Sequence, residues 1–163
     1  MQKTIYVKDD DMKIFDEAEQ MFDKESLSSI IAKALSKYIE IEKAKRQGFD
    51  EYTLEEYYQP GGQFSKPETT KVVKFIGKEL VSETYYAGES SSKDDRGITH
   101  EVYMTKRKKY IWYEETWSRW QNEDNSSVIR VFDTLDELLK ALPKDLKIKV
   151  KEQLGMEYAE WID

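Results

Sequence analysis

The chain has no cysteine, one histidine, three prolines and no long apolar run. Without cysteine it has no disulfide, no thiol nucleophile and no thiolate metal site, which fits a reducing compartment. A single His100 cannot build a His-rich metal centre. Neither an 18-residue apolar segment nor an apolar stretch behind a basic N-terminus is present, so neither a membrane span nor a signal peptide is expected. There is no Gly-rich phosphate loop, no Ser-His-Asp order and no metal motif. An enzyme would have to work with carboxylates alone, as glycosidases do, and nothing among the 33 acidic residues singles out a pair. The expectation is a protein that is not an enzyme and uses no cofactor.

What is present is charge and aromatic surface. The 163 residues are 36% charged and 39% hydrophobic, with a mean hydropathy of -0.81 and a net charge of -7. Residues 1–47 carry nine Lys+Arg against ten Asp+Glu, and the rest 17 against 23. Neither part is the basic domain that a DNA binder usually shows, so any DNA contact rests on a local patch.

Two textures divide the chain near Gln47-Gly48-Phe49. In the first, Thr4-Ile5-Tyr6-Val7 alternates with a period of two and reads as a short strand. Asp9, Asp10 and Asp11 then suit a helix start, with capping expected at Asp9. Met12, Phe15, Ala18 and Phe22 follow at helical spacing, giving a helix over about 10–22. Ser26 is an N-cap for a second helix whose stripe is Leu27, Ile30, Ile31, Ala34, Leu35, Tyr38 and Ile41. Lys43, Lys45 and Arg46 suit its C-terminal end, and Gly48 its stop. One lone strand and two helices cannot bury their apolar faces alone, so an obligate homodimer is expected.

In the second texture aromatic and β-branched residues recur at strand spacing. Strands are expected over about 51–58, 70–76, 79–87, 98–106 and 109–117, with one more over 128–132. Turn-rich segments at 59–62 and 88–97 separate them. Thr134 and Glu137 have capping-box spacing, Pro143 suits the first position of a following helix, and Gly155 its end. No internal repeat or coiled-coil heptad appears.

Lys3-Thr4-Ile5-Tyr6-Val7, a helix, then Ser26-x-Ser28 and Ala34-Leu35 resemble the ribbon-helix-helix superfamily. Val102 to Tyr110, and Phe132 to Leu138 with Leu142-Pro143, resemble the bacterial EXLDI family. That family is named for a C-terminal Glu-x-Leu-Asp-Ile; here Glu160-Trp161-Ile162-Asp163 has Ile for Leu and lacks the last Ile. The resemblance implies a small cytoplasmic bacterial protein that binds DNA. The fold it implies is α+β: a dimeric β-α-α ribbon-helix-helix domain over 1–47, then an antiparallel sheet domain with two C-terminal helices over 48–163.

In the ribbon-helix-helix mechanism paired strands lie in the major groove. Carried over here, Gln2, Thr4 and Tyr6 touch base edges. Lys8, Lys24, Ser26, Leu27 and Ser28 touch phosphates, the last three at a helix N-terminus. The expected function is a homodimeric regulator, most simply a repressor, on double-stranded DNA with a palindromic operator, and with higher assembly on DNA open. The alternative is an antitoxin-like or pure interaction module whose N-terminal part mainly dimerises. A ligand or protein partner for residues 48–163 stays open. Lys106-Arg107-Lys108-Lys109 is a basic hairpin tip, either a solvated turn or a nucleic-acid contact. Tyr103, Tyr110, Trp112, Tyr113, Trp117 and Trp120 read as core before they read as a ligand pocket. His100 beside Glu101 is a weak acid–base pair.

Overall fold

A computed structural model describes residues 4–22, 24–62, 64–87 and 95–156. The chain divides into two compact units, Met1–Arg46 and Gln47–Asp163.

The first unit is helical. α1 is Asp9–Met21 and α2 is Leu27–Arg46. The expected opening strand is not formed: Thr4–Lys8 has no regular structure. A strand is stable only when its backbone groups are paired, and a single chain offers this segment no partner. The expected β-α-α order is thus overturned, and the chain opens on two helices. α1 has no buried residue and α2 buries only Ala44. Their apolar stripes are real, but Met12, Ile14, Met21, Leu35, Tyr38 and Ile39 remain exposed.

The second unit is a closed antiparallel barrel in the order β1-β2-β3-β4-β5. Its strands are β1 Asp50–Gln59, β2 Glu68–Tyr86, β3 Arg96–Thr105, β4 Tyr110–Ser118 and β5 Asn125–Phe132. Two strands were expected over 70–76 and 79–87, and β2 runs through both. Its first half pairs with β1 and its second with β3, and Gly77 faces both Asp50 and Thr105. Gly77-Lys78 is therefore a corner rather than a turn. A Cβ at Gly77 would stand 2.6 Å from the Phe75 ring, so no larger residue fits without displacement.

Alternation sorts the strand residues into two cores. Leu54, Tyr103, Ile111, Tyr113 and Ile129 pack inside the barrel with Tyr52, Val73 and Phe75. Their strand neighbours Val102, Tyr110 and Trp112 point outward, with Leu80 and Val81, to a second core. That core is closed by α3 (Leu135–Ala141) and α4 (Lys144–Gln153), whose Leu138, Leu146 and Val150 are fully buried. Each such aliphatic side chain contributes about 1.5–3 kcal/mol of transfer free energy. The capping box forms: Thr134 Oγ1 accepts the Glu137 N–H, and the Glu137 carboxylate accepts the Thr134 N–H. Pro143 stands one place before the helix expected to contain it.

The β1–β5 seam is closed differently. Only Tyr58↔Ser126 and Gln59↔Asn125 pair there. Beyond them side chains replace the backbone ladder. The buried Ser127 hydroxyl accepts the Tyr57 N–H at 3.1 Å and donates to the Glu55 carbonyl at 2.7 Å. The Glu56 carboxylate accepts the Ile129 N–H at 2.9 Å. Among the described residues no helix is long and apolar enough to cross a membrane.

Candidate functional site

The residues expected to contact DNA lie in the helical unit, except Gln2, which falls outside the described residues. Thr4, Tyr6 and Lys8 are exposed in the segment before α1, with Tyr6 94% accessible. Lys8 holds the N-cap position of α1 and makes no side-chain cap, so the cap expected at Asp9 is absent. Asp9, Asp10 and Asp11 are all inside the first turn, where they complement the helix dipole instead. They also place three carboxylates beside Lys8.

At the start of α2, Ser26 Oγ accepts the Ser29 N–H at 3.3 Å. Lys24 and Ser28 are exposed and Leu27 is half-buried. Glu25 also belongs here, which no residue spacing indicates. Its carboxylate bonds Lys33 Nζ at 2.5 Å and Ser29 Oγ at 3.4 Å. The Lys33 hydrogen bond holds Glu25 below the usual carboxylate range. That carboxylate adds negative charge at the helix end, partly offset by Lys33.

Inside the barrel, tyrosines and glutamates are matched. Tyr103 Oη donates to Glu101 at 2.6 Å, and Tyr57 Oη donates to Glu115 at 2.6 Å. Burial pushes both phenols far above their ordinary range, and the accepting carboxylates push them further. Tyr52, Phe75 and Tyr103 stack with centroids 4.7–5.5 Å apart. Neutral phenols held as donors to carboxylates satisfy one another here, and this is the packing of a core. Tyr103, Tyr110, Trp112 and Tyr113 are buried as the core reading expects, whereas Trp120 is 42% exposed.

His100 does not work with Glu101. Adjacent strand residues face opposite sides, and His100 lies on the outer face while Glu101 lies inside. Cross-strand register instead sets His100 between Glu83 and Glu114. Its Nδ1 accepts the Trp112 indole N–H at 3.2 Å and lies 3.4 Å from a Glu114 oxygen. Arg130 stacks over Trp112 at 4.4 Å, and its Nη2 is 3.4 Å from Glu114. Tyr85 sets its ring edge to His100 and donates its hydroxyl to Asp145, which raises the phenol to about 12. Lys149 pairs with Glu83. Glu114 and Arg130 were invisible in the sequence because their link to His100 depends on register. The cluster can orient an imidazole, but its polar groups are mostly spent on each other. Among the described residues no three His, Asp or Glu side chains converge to hold a metal.

No protein-family model matches the chain, and no curated protein or solved structure proves similar to it.

Proposed function

We propose that the chain is a homodimeric DNA-binding regulator, most simply a repressor. One observation carries the dimer: a helical unit in which Met12, Ile14, Met21, Phe22, Leu35, Tyr38 and Ile39 stay exposed and only Ala44 of α1 and α2 is fully buried. Scattered exposed apolar residues are ordinary, but here Met12, Phe22, Leu35 and Tyr38 continue stripes whose other members, among them Phe15, Ile30 and Ile41, are only half-buried. A second copy is the simplest cover, because the same faces recur on it around a two-fold axis.

The DNA part of the reading is supported by the residue pattern of 3–35, which resembles the ribbon-helix-helix superfamily, and by the exposure of Thr4, Tyr6, Lys8, Lys24, Ser26 and Ser28. Thr4 and Tyr6 would meet base edges, and the cations and the α2 amides phosphates. A two-fold protein then calls for a palindromic site. The test is sedimentation equilibrium with gel retardation of the gene's own upstream fragments. A dimer that retards a palindromic fragment, less so after Thr4→Ala and Tyr6→Ala, is expected. A monomer at micromolar concentration sinks the reading.

The alternative, a module that dimerises without touching DNA, is favoured by the acidic neighbours of the contact residues: Asp9–Asp11 beside Lys8, and Glu25 at the α2 start. A stable dimer with no retardation even at low salt selects it.

A further inference from the structure

We infer that the corner of the barrel, where β2 turns at Gly77 under the β3–β4 hairpin tip, is a contact surface for the phosphate backbone of double-stranded DNA. The inference rests on the DNA-binding reading and adds to it a second, sequence-independent contact on the other unit.

Two basic stretches, Lys74-Phe75-Ile76-Gly77-Lys78 and Thr105-Lys106-Arg107-Lys108-Lys109, are far apart in sequence. The fold joins them. Gly77 pairs with Thr105, Lys78 with Met104, and the Lys106 N–H donates to the Ile76 carbonyl at 2.8 Å. Phe75 points into the barrel, so alternation turns Lys74 and Lys78 outward. Lys74, Lys78, Arg107, Lys108 and Lys109 are all exposed. Neither stretch contains an acidic residue, in a chain whose net charge is -7. Asp133 neutralises Lys109 at 2.7 Å, Asp50 and Glu51 stand opposite Gly77 and Ile76 on β1, and Glu79 follows Lys78. Against these four carboxylates stand six cations, Lys74, Lys78, Lys106, Arg107, Lys108 and Lys109, so the balance at the corner is still positive.

The tip is also held rather than loose. Thr105 N–H donates to the Lys109 carbonyl at 2.8 Å, Lys108 N–H to the Thr105 carbonyl at 2.9 Å, and Lys109 N–H to Thr105 Oγ1 at 3.0 Å. Lys108 sits at φ 61, in the left-handed region where glycine or asparagine is favoured. A lysine there costs backbone strain, and among the described residues its Nζ reaches only the Met104 sulfur, at 3.7 Å. What it supplies is a fixed cation at the apex. Fixed cations around a bend suit a regular row of phosphates, which bind by charge and release counterions.

The experiment uses the full chain and a duplex of unrelated sequence over a salt series. Lys78→Gln/Arg107→Gln/Lys108→Gln is compared with the charge-matched Lys140→Gln/Lys144→Gln/Lys147→Gln on α3 and α4. The corner variant is expected to lose tenfold or more in affinity at low salt, and its slope of log K against log salt to fall by about 2–3, near 0.9 per phosphate contact. The control is expected to change far less. Lys108→Gly, which relieves the strained backbone, should melt at or above the parent temperature and still bind more weakly. A corner variant that binds like the parent, or a control that loses as much, overturns the inference. A parent protein that binds no duplex overturns it together with the DNA-binding reading. If Thr4→Ala and Tyr6→Ala weaken binding while the corner variant does not, the reading stands and this inference falls. The reverse pattern keeps the corner and removes the N-terminal reader.

Discussion

The two units spend their apolar residues in opposite ways. The barrel unit turns alternate strand residues into two separate cores, one inside and one under α3 and α4. The helical unit has equally regular stripes, but its two helices only half-bury them, and Ala44 alone of their residues is fully buried. Apolar patterning therefore sets where a face is, and only a partner element makes it a core. In the barrel the partner is elsewhere in the chain. In the helical unit it is proposed to be another copy.

Alkaline titration is the strongest way to break this contrast. Tyr57, Tyr103 and Tyr113 are held above the ordinary phenol range, by burial first. A raised folded-state value means the native barrel binds the phenolic proton more tightly than the unfolded chain does. That stability is complete below the unfolded value near 10 and is lost as pH climbs beyond it. Phenolate absorbance and circular dichroism followed together should show these phenols ionising only as the barrel unfolds. Ionisation at ordinary phenol pH in an intact barrel contradicts the assignment.

Next come paired truncations. Leu138→Ala empties a fully buried site and should cost about 2–5 kcal/mol in denaturant unfolding of the barrel. Leu35→Ala, at a site 53% exposed, should leave the barrel's unfolding within about 0.5 kcal/mol and act instead on self-association. Equal effects on barrel stability would erase the distinction between the units. Smaller again is Ser127→Ala, which orphans the Tyr57 N–H and the Glu55 carbonyl. A loss of about 1–3 kcal/mol is expected, with faster amide exchange at Tyr57. Unchanged exchange there would mean that the seam is held by something other than this hydroxyl.

Local signals were legible in the sequence and long-range ones were not. Thr134 and Glu137 announce their capping box because both partners lie within one turn. The aromatic core on β3 and β4 follows from alternation. The strands expected over 70–76 and 79–87 leave a gap at Gly77-Lys78, whereas the chain runs on through a corner where Gly77 lets Phe75 and two partner strands approach. The opening strand failed because a period of two supplies a face without a partner. At the site, Thr4, Tyr6 and Ser28 stand exposed, whereas Glu25, Glu114 and Arg130 needed a side-chain reach or a register that no spacing encodes.

The side-chain seam between β1 and β5 has a consequence for how the barrel assembles. Each other junction joins strands adjacent in sequence, and such hairpins form in about 1–10 μs. The seam joins residues about 70 positions apart, with Ser127 and Glu56 as its fasteners. Closing so long a loop is entropically unfavourable until its contacts exist, so it comes last. Until then the chain is an open meander with two bare edges, each able to take up a strand from another molecule. Folding speed and the hazard of aggregation are thus set at the same place, by two backbone pairs, one hydroxyl and one carboxylate that close the barrel on itself.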